Sequence, residues 1–520
     1  MPENATAPPN AAKSLVIPPD STPTAELPGL KRYLKAESAR LQQLHRDGGG
    51  GLEVCLGRSE MIDTLLRALF DWSLAAFRPT GGARRLKVSL VAIGGYGRAE
   101  LNPHSDIDIM LLHNGSVPTL TRIYSHPLLE QLTGPGGLIY TLYDLGMKVG
   151  HSVRNIQDAI HIANDDMQTK TSLIEARLIT GDTALFGQFQ QRLEARCVRN
   201  HVDAYLQMRI GDQNARRVKF GNSALLQEPN IKNGCGGLRD YQNLLWMTHF
   251  KYGAHTLEQL EAQGMIRPGN RQQLEAGYDF LLRTRNELHY QTTRLVDNLP
   301  KALQPKVAWQ LGYKDRSPAG RLEAFMRDLY THLRAIHLIT CMVERRLALR
   351  PKPTGRLPSL RTFFGGGKKT ETLDGFNIID GELLPGSPRV FEEQPHRLMR
   401  VFLHAQQRGL DIHPDLTQLL RDSVSLVDER FVHDAEVRET FLEILNRRGS
   451  VAPALRAMHE VGLLGLYIPE FGRMTCLVQH EFFHTYAADE HTLVCLEKLD
   501  QVWNAQKPPF IHYTHILQNI

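Results

Sequence analysis

The 520-residue sequence contains no apolar run near the ~20 residues that a membrane-spanning helix needs; its longest are of the Val88–Ile93 kind. A helical membrane protein is therefore excluded, and no membrane partner is expected. Cysteine is sparse. Cys55, Cys197, Cys235, Cys341, Cys476 and Cys495 are scattered with no C-x-x-C spacing, which argues against both a disulfide framework and a zinc ribbon. Charge of one sign is also lacking. Lys and Arg number 61 against 56 Asp and Glu, a net charge of +5, too small an excess for this length to call for nucleic acid. The first thirty residues are rich in Pro, Ala and Thr and carry no basic start followed by an apolar block, so no signal peptide is read and a cytoplasmic location is expected.

What the chain does have is folding capacity. Apolar residues make up 42% and charged residues 22%, and the length suggests about three to four domains. The Arg350–Lys369 stretch holds six basic residues, three prolines and the triplet Gly365–Gly367 without an acid, and reads as a linker.

Residues 1–54 read as a Pro-rich tail followed by a helix over Leu30–Arg46, stopped by Gly48–Gly51. Met61–Ala76 carries apolar residues at helical spacing. Lys87–Ile93 and Ile107–Leu112 are short, apolar and β-branched, and read as strands, with Leu142–Val149 and Ser172–Ile179 as further strand candidates. This alternation predicts an α/β unit over 55–185. Long amphipathic patterns then dominate: Gln188–Gln213, Leu238–Phe250, Arg271–Gln291 and Arg321–Leu349 predict a helical bundle over 186–349. A linker with a short hairpin at Phe376–Leu383 spans 350–390, and 391–520 is again helical. The fold class is α+β multidomain.

The chemistry is concentrated in one segment, Gly94-Gly95-Tyr96-Gly97-Arg98-Ala99-Glu100-Leu101-Asn102-Pro103-His104-Ser105-Asp106-Ile107-Asp108. Residues two apart on a strand share a face, so Asp106 and Asp108 present two carboxylates side by side. Two such groups resist ionising together unless a cation lies between them, and Mg²⁺ suits oxygen ligands shared with water and phosphate. Gly94 and Gly95 follow a strand and bare their backbone N–H groups to a phosphate chain. Arg98 and Ser105 are within reach of the same phosphates. Metal, phosphates and an in-line nucleophile are what nucleotidyl transfer requires. The segment lacks the Gly-Lys-Ser/Thr ending of a P-loop and the glycine spacing of a dinucleotide fingerprint.

This string resembles the nucleotidyltransferase motif of the bifunctional PII uridylyltransferase/uridylyl-removing family. Asp144–Arg154, Glu175–Asp182 and Glu228–Asp240 are similar to later family segments, and the order is kept from about 55 to 520. The resemblance implies a polymerase-β-like nucleotidyltransferase domain at 55–185 and a helical uridylyltransferase domain at 186–349. It further implies that Gly94 and Gly95 hold UTP phosphates, that Asp106 and Asp108 bind Mg²⁺, and that a third carboxylate stands on a neighbouring strand. Glu175, projecting from a strand over Leu173–Ile179, is the candidate and Asp144 the runner-up. The Gly234–Asp240 segment is expected near the site, either as a turn closed by an Arg239–Asp240 pair or with Lys232 and Arg239 as phosphate contacts.

Gln479–Leu493 is similar to the start of the family's HD phosphohydrolase domain, with His491 at the first metal-ligand position. No His-Asp pair follows it, so His491 is expected to be vestigial and 391–520 an incomplete HD-type domain. His480 and His484, four apart, are expected to be structural. The family's uridylyl-removing activity and its ACT regulatory modules are expected to be absent, and Leu463, Leu464, Leu466, Phe482 and Phe483 to be left exposed. The expected activity is Mg²⁺-dependent transfer of UMP from UTP to a tyrosine of the PII signalling protein, releasing pyrophosphate. The alternatives are a related transferase using ATP and a non-catalytic PII-binding module.

Overall fold

The computed structural model describes residues 15–18, 20–77, 86–115, 126–349, 371–477 and 485–517. The Pro-rich stretch before Leu15, the Arg350–Thr370 linker, and His480, His484, Phe482 and Phe483 lie outside the described residues. Among the described residues no helix is long and apolar enough to cross a membrane.

The first unit is built on a four-stranded sheet of order β3-β2-β1-β4, formed by β1 (Val88–Ala92), β2 (Ile107–His113), β3 (Val149–Asn155) and β4 (Arg177–Gly181). β2 pairs parallel with β3, whereas β1 runs antiparallel to both β2 and β4. Every residue of β1 is buried, because the sheet is covered on both faces. Val88, Leu90, Ala92, Ile107, Ile109 and Leu111 join one core, beneath the Gly51–Ala76 helix. Val91, Met110 and Leu112 join another with the Thr183–Leu193 helix. The two-residue strand period thus sorts alternate side chains into two cores, which explains why these runs are continuously apolar.

The expected strand over Leu142–Val149 is corrected. Leu138–Asp144 is a helix that buries Leu138, Ile139 and Leu142, and the strand starts only at Val149. Likewise Ser172–Ile179 is divided between the Met167–Ile174 helix and β4. Gln188–Gln213 is not one helix. It comprises Thr183–Leu193, a π-turn at Glu194–Val198, and Val202–Lys219.

The second unit is the predicted helical bundle. The helices Val202–Lys219, Leu238–Tyr252, Pro268–Thr292 and Pro318–Leu349 share one large core that includes Leu244, Tyr278, Leu281, Leu288, Phe325 and Ile336. The 25-residue Pro268–Thr292 helix also packs against the first unit: its Asp279 accepts from Leu52 N at 2.8 Å, and its Asn286 donates to Gly51 O at 3.1 Å.

The third unit corrects the all-α expectation for the C-terminal part. Short strands β5 (Glu371–Leu373), β6 (Phe376–Ile379), β7 (Glu382–Pro385) and β8 (Asp411–Ile412) form a second sheet. The hairpin foreseen at Phe376–Leu383 is β6–β7. It is no linker ornament, since Phe376 and Leu383 are buried in the same core as Leu398, Phe402, Leu416, Val437 and Leu464. Leu463 and Leu464, expected to be exposed, are 1% and 2% accessible, while Leu466 is 45% accessible. The chain returns to the bundle through a bridge between Leu226 and Tyr486.

Candidate active site

β1 ends at the glycine segment, which folds as a single helical turn, Gly94–Gly97, with Gly94 in the left-handed region at φ 57°. Gly97 has no room for a side chain, because a Cβ there would overlap the carbonyl of Glu175. Tyr96 anchors the turn from below. Its hydroxyl donates to Asp63 Oδ1 at 2.6 Å, and the same buried carboxylate receives Arg177 at 2.6 Å and Arg67 at 3.0 Å. Arg177 also lies over the Tyr96 ring, 5.4 Å from its centroid. This buried network fixes the backbone N–H groups of the turn in place.

Gly94, Gly95, Arg98, Ser105, Asp106, Asp108, Glu175, Lys232 and Arg239 all line one cleft of about 650 Å³ between the sheet unit and the bundle. Asp106 and Asp108 flank buried Ile107 and are exposed to it. Burial, then the charge of Asp106, pushes the Asp108 carboxyl above its ordinary value, against the opposing influence of Lys232. A pair of carboxylates that disfavour joint ionisation, with no ion-pair partner among the described residues, fits a divalent cation. Across the β2–β3 pairing, Gly150 stands opposite Asp108, and a Cβ there would overlap Asp108 Oδ1.

The bundle supplies the cations. Lys232 and Arg239 lie on either side of the Gly234–Gly237 turn, with Arg239 N bonded to Lys232 O at 2.8 Å. Gly236 in this turn sits at φ 71° against the carbonyl of Leu333, where a side chain cannot fit. Asp240 closes the turn, but not by pairing with Arg239. It accepts from Gly236 N at 2.8 Å and forms ion pairs with Arg216 and Arg217. Neither Lys232 nor Arg239 has a carboxylate within ion-pair distance among the described residues. Burial and then Arg285, with Arg239 and Arg98 adding to it and Asp297 opposing, bring Lys232 down to about 8. Burial, then Arg98, brings Arg239 down to about 10, against the pull of Glu175. Cations held at this cost without a counter-charge form a site for an anion.

Arg98, expected within reach of phosphates, lines the cleft and is already engaged by two carboxylates. Its guanidinium donates to Glu100 and Glu175, both at 2.6 Å. Burial alone would weaken its proton affinity, but these two carboxylates reverse that and raise it well above the ordinary arginine value. Glu175 does not project from a strand. It caps the Met167–Ile174 helix, and its Oε1 accepts from both Arg98 and Trp246 Nε1, the latter at 2.5 Å. Asp144, at the end of its helix, does not line the cleft. His491 lies on the Ala488–Trp503 helix with its ring 3.7 Å from Cys495 Sγ. Among the described residues no three His, Cys, Asp or Glu side chains are grouped to hold a metal.

Several residues in or next to the cleft escaped sequence reasoning, Trp246 and Arg285 lining it. Trp246 is surrounded by three guanidinium groups, those of Arg98, Arg209 and Arg239, at 6.0, 4.6 and 5.1 Å from its ring centroid. Tyr278, from the Pro268–Thr292 helix, donates to Glu100 at 2.7 Å. Arg285 of the same helix donates to Asn102 and to Asp297. None of these left a local signal, whereas Gly150, also missed, did: a glycine inside a strand, next to its first residue Val149.

Comparison with known proteins matches two regions of the chain to family models and most of its length to curated relatives. A family model described as GlnD PII-uridylyltransferase matches residues 204–343, and one described as the uridylyltransferase GlnD third domain matches 376–467. A bifunctional uridylyltransferase/uridylyl-removing enzyme of Phenylobacterium zucineum (strain HLK1) is 32% identical over 453 residues, covering 86% of this chain and 47% of that protein. One from Azospirillum brasilense is 31% identical over 457 residues, covering 87% of this chain and 48% of that protein. The chain spans about half the length of these curated relatives. The bundle and the third unit are the two regions matched by the family models, and the relatives align over most of the chain, which therefore carries GlnD-type segments and is similar to these bifunctional enzymes over most of its own length.

Proposed function

We propose that the cleft transfers a uridylyl group from UTP to a tyrosine hydroxyl of the PII protein, releasing pyrophosphate. The observation that carries this reading is the meeting of two carboxylates from the sheet, Asp106 and Asp108, with two cations from the bundle, Lys232 and Arg239, all four without an ion-pair partner among the described residues. That pairing of charges complements a nucleoside triphosphate and its divalent cation. The relatives' names supply the uridylyl group, and the matching family model supplies the PII acceptor.

Asp106 and Asp108 would hold Mg²⁺, which when bound neutralises phosphate charge and orients the phosphates. The chain's own residues then do the positioning. The Gly94–Gly95 turn offers backbone N–H groups to the phosphates, and Lys232 and Arg239 offset charge on the leaving pyrophosphate. Arg98 and Glu175 hold the turn against Trp246 and so fix the cleft wall; we assign them to positioning. The acceptor oxygen forms a bond to the α-phosphorus while the bond to the bridging oxygen of the β-phosphate breaks. The nucleophile belongs to the acceptor, so no side chain of this chain needs to be activated as one.

The test is incubation of the chain with PII, Mg²⁺ and UTP labelled at either the α- or the γ-phosphate, with ATP in parallel. Label retained on PII from α-labelled UTP alone supports the reading. Label from γ-labelled nucleotide would indicate phosphoryl transfer instead, and label from ATP alone would overturn the base assignment.

A further inference from the structure

A second cavity, of about 450 Å³, lies between the Pro318–Leu349 helix of the bundle and the third unit, and shares no lining residue with the catalytic cleft. Its walls are largely apolar, with Leu338 and Met342 on one side and Phe402, Leu410, Leu420 and Val461 on the other. This size and its place between two units are typical of small-molecule sites.

Three polar groups that line the cavity are left without a side-chain partner among the described residues. Arg421 and Glu460 both line it, yet no carboxylate lies within 4.0 Å of the Arg421 guanidinium among the described residues, and Glu460 has no cation at that distance. They are nonetheless close enough to interact: burial lowers the proton affinity of Arg421, and Glu460 is the first group to oppose this. The third feature is Gln406. Its Nε2 donates to Ile444 O at 3.1 Å and Ser450 O at 2.9 Å, leaving Oε1 buried with no partner. Of the other charged residues, Arg345 is engaged by Glu382 at 3.3 Å, and Asp411 lies exposed on β8.

A buried acceptor without a donor, and two opposite charges held apart, are each unfavourable unless something fills the space between them. A purely anionic guest would satisfy Arg421 but meet repulsion from Glu460, and a purely cationic one the reverse. We propose that this cavity binds a zwitterion with an apolar body, of the size of a large apolar amino acid or an apolar dipeptide. Its carboxylate pairs with Arg421, its ammonium with Glu460 and Gln406 Oε1, and its side chain packs against Leu338, Met342 and Phe402. The proposal is independent of the transfer reaction.

Calorimetric titration of the full chain tests it, with L-phenylalanine and L-leucyl-L-phenylalanine as probes for the two sources. The controls are 3-phenylpropionate, which lacks the ammonium, and phenethylamine, which lacks the carboxylate. At least one zwitterion should saturate, with each single-charge control weaker by about tenfold or more, equivalent to ~1.4 kcal/mol. Arg421→Gln and Glu460→Gln should each weaken binding similarly while leaving the melting temperature unchanged, since neither side chain has an ion-pair partner to lose. Absence of saturable binding by either zwitterion up to about 10 mM, well above the range of a built site, would overturn the proposal. So would equal binding of a single-charge control, or unchanged affinity in both variants.

Discussion

Gly150 and Asp108 face each other across β2 and β3 so closely that a methyl group on Gly150 would overlap Asp108 Oδ1. The carboxylate proposed to hold the metal therefore takes its position from a missing side chain on the adjacent strand. Gly150→Ala should turn the Asp108 carboxylate away while keeping the fold, since β3 is an edge strand whose Gly150 is exposed. The expected result is a fall in transfer rate of more than about tenfold with little change in melting temperature, because misplacing a charge-bearing ligand costs several kcal/mol of transition-state stabilisation. Steady-state rates together with a thermal melt check this.

Gly95 differs from its neighbours Gly94 and Gly97. A Cβ on Gly95 would meet only Arg98 Nη2 at 3.7 Å and Glu100 O at 3.8 Å, ordinary contacts, so the fold itself does not demand glycine here. If the position is bare so that phosphate can approach the backbone, Gly95→Val should fold normally and bind UTP more weakly by about tenfold or more. Unchanged UTP affinity in a folded variant would remove the phosphate-cradle role.

If Lys232 contacts the nucleotide as proposed, binding should depend on pH. Burial and neighbouring arginines bring it down to about 8, so its positive charge is present below that pH and lost above it. The KM for UTP should therefore rise as pH increases through about 8, while Lys232→Arg, which stays charged, should flatten the rise. A pH series from neutral to mildly alkaline conditions with both proteins reads this directly.

Much of the local fold around Gly94–Asp108 was legible in the sequence because its signals are local. Alternate residues of Val88–Ala92 and Ile107–His113 serve two cores, and glycine punctuation ends the first strand. The outer strands were misplaced for an equally physical reason. The apolar residues of Leu142–Val149 belong to a helix that buries Leu138 and Leu142 in the same core, whereas β3 is polar and partly exposed, with little apolar signal. Glu175 was assigned to a strand because β-branched and apolar residues follow it, yet it ends a helix that begins at the Asp166 cap. Trp246 and Arg285 reach the cleft, and Tyr278 reaches Glu100, from helices far along the chain, and no local pattern marks such a tertiary meeting.

Asp63 should be the weak point of the turn's foundation. It is 5% accessible and receives Tyr96, Arg67 and Arg177. Asp63→Asn would leave Arg177 without its charge partner, and removing one member of such a buried pair costs about 3–5 kcal/mol. The expected outcome is a lower denaturation midpoint, with transfer falling only in proportion to the folded fraction unless the Gly94–Gly97 turn also shifts.

The most direct test of the cleft as the site of transfer is the intact mass of PII after incubation with UTP, Mg²⁺ and either the unaltered chain or its Asp106→Asn and Asp108→Asn variants. The unaltered chain should add the mass of one UMP to a PII tyrosine, and each variant, though folded, should add it at less than about a tenth of the rate, consistent with the loss of a metal ligand. UMP addition by both variants at the unaltered rate would contradict the assignment of Asp106 and Asp108, and with it the placement of the reaction in this cleft.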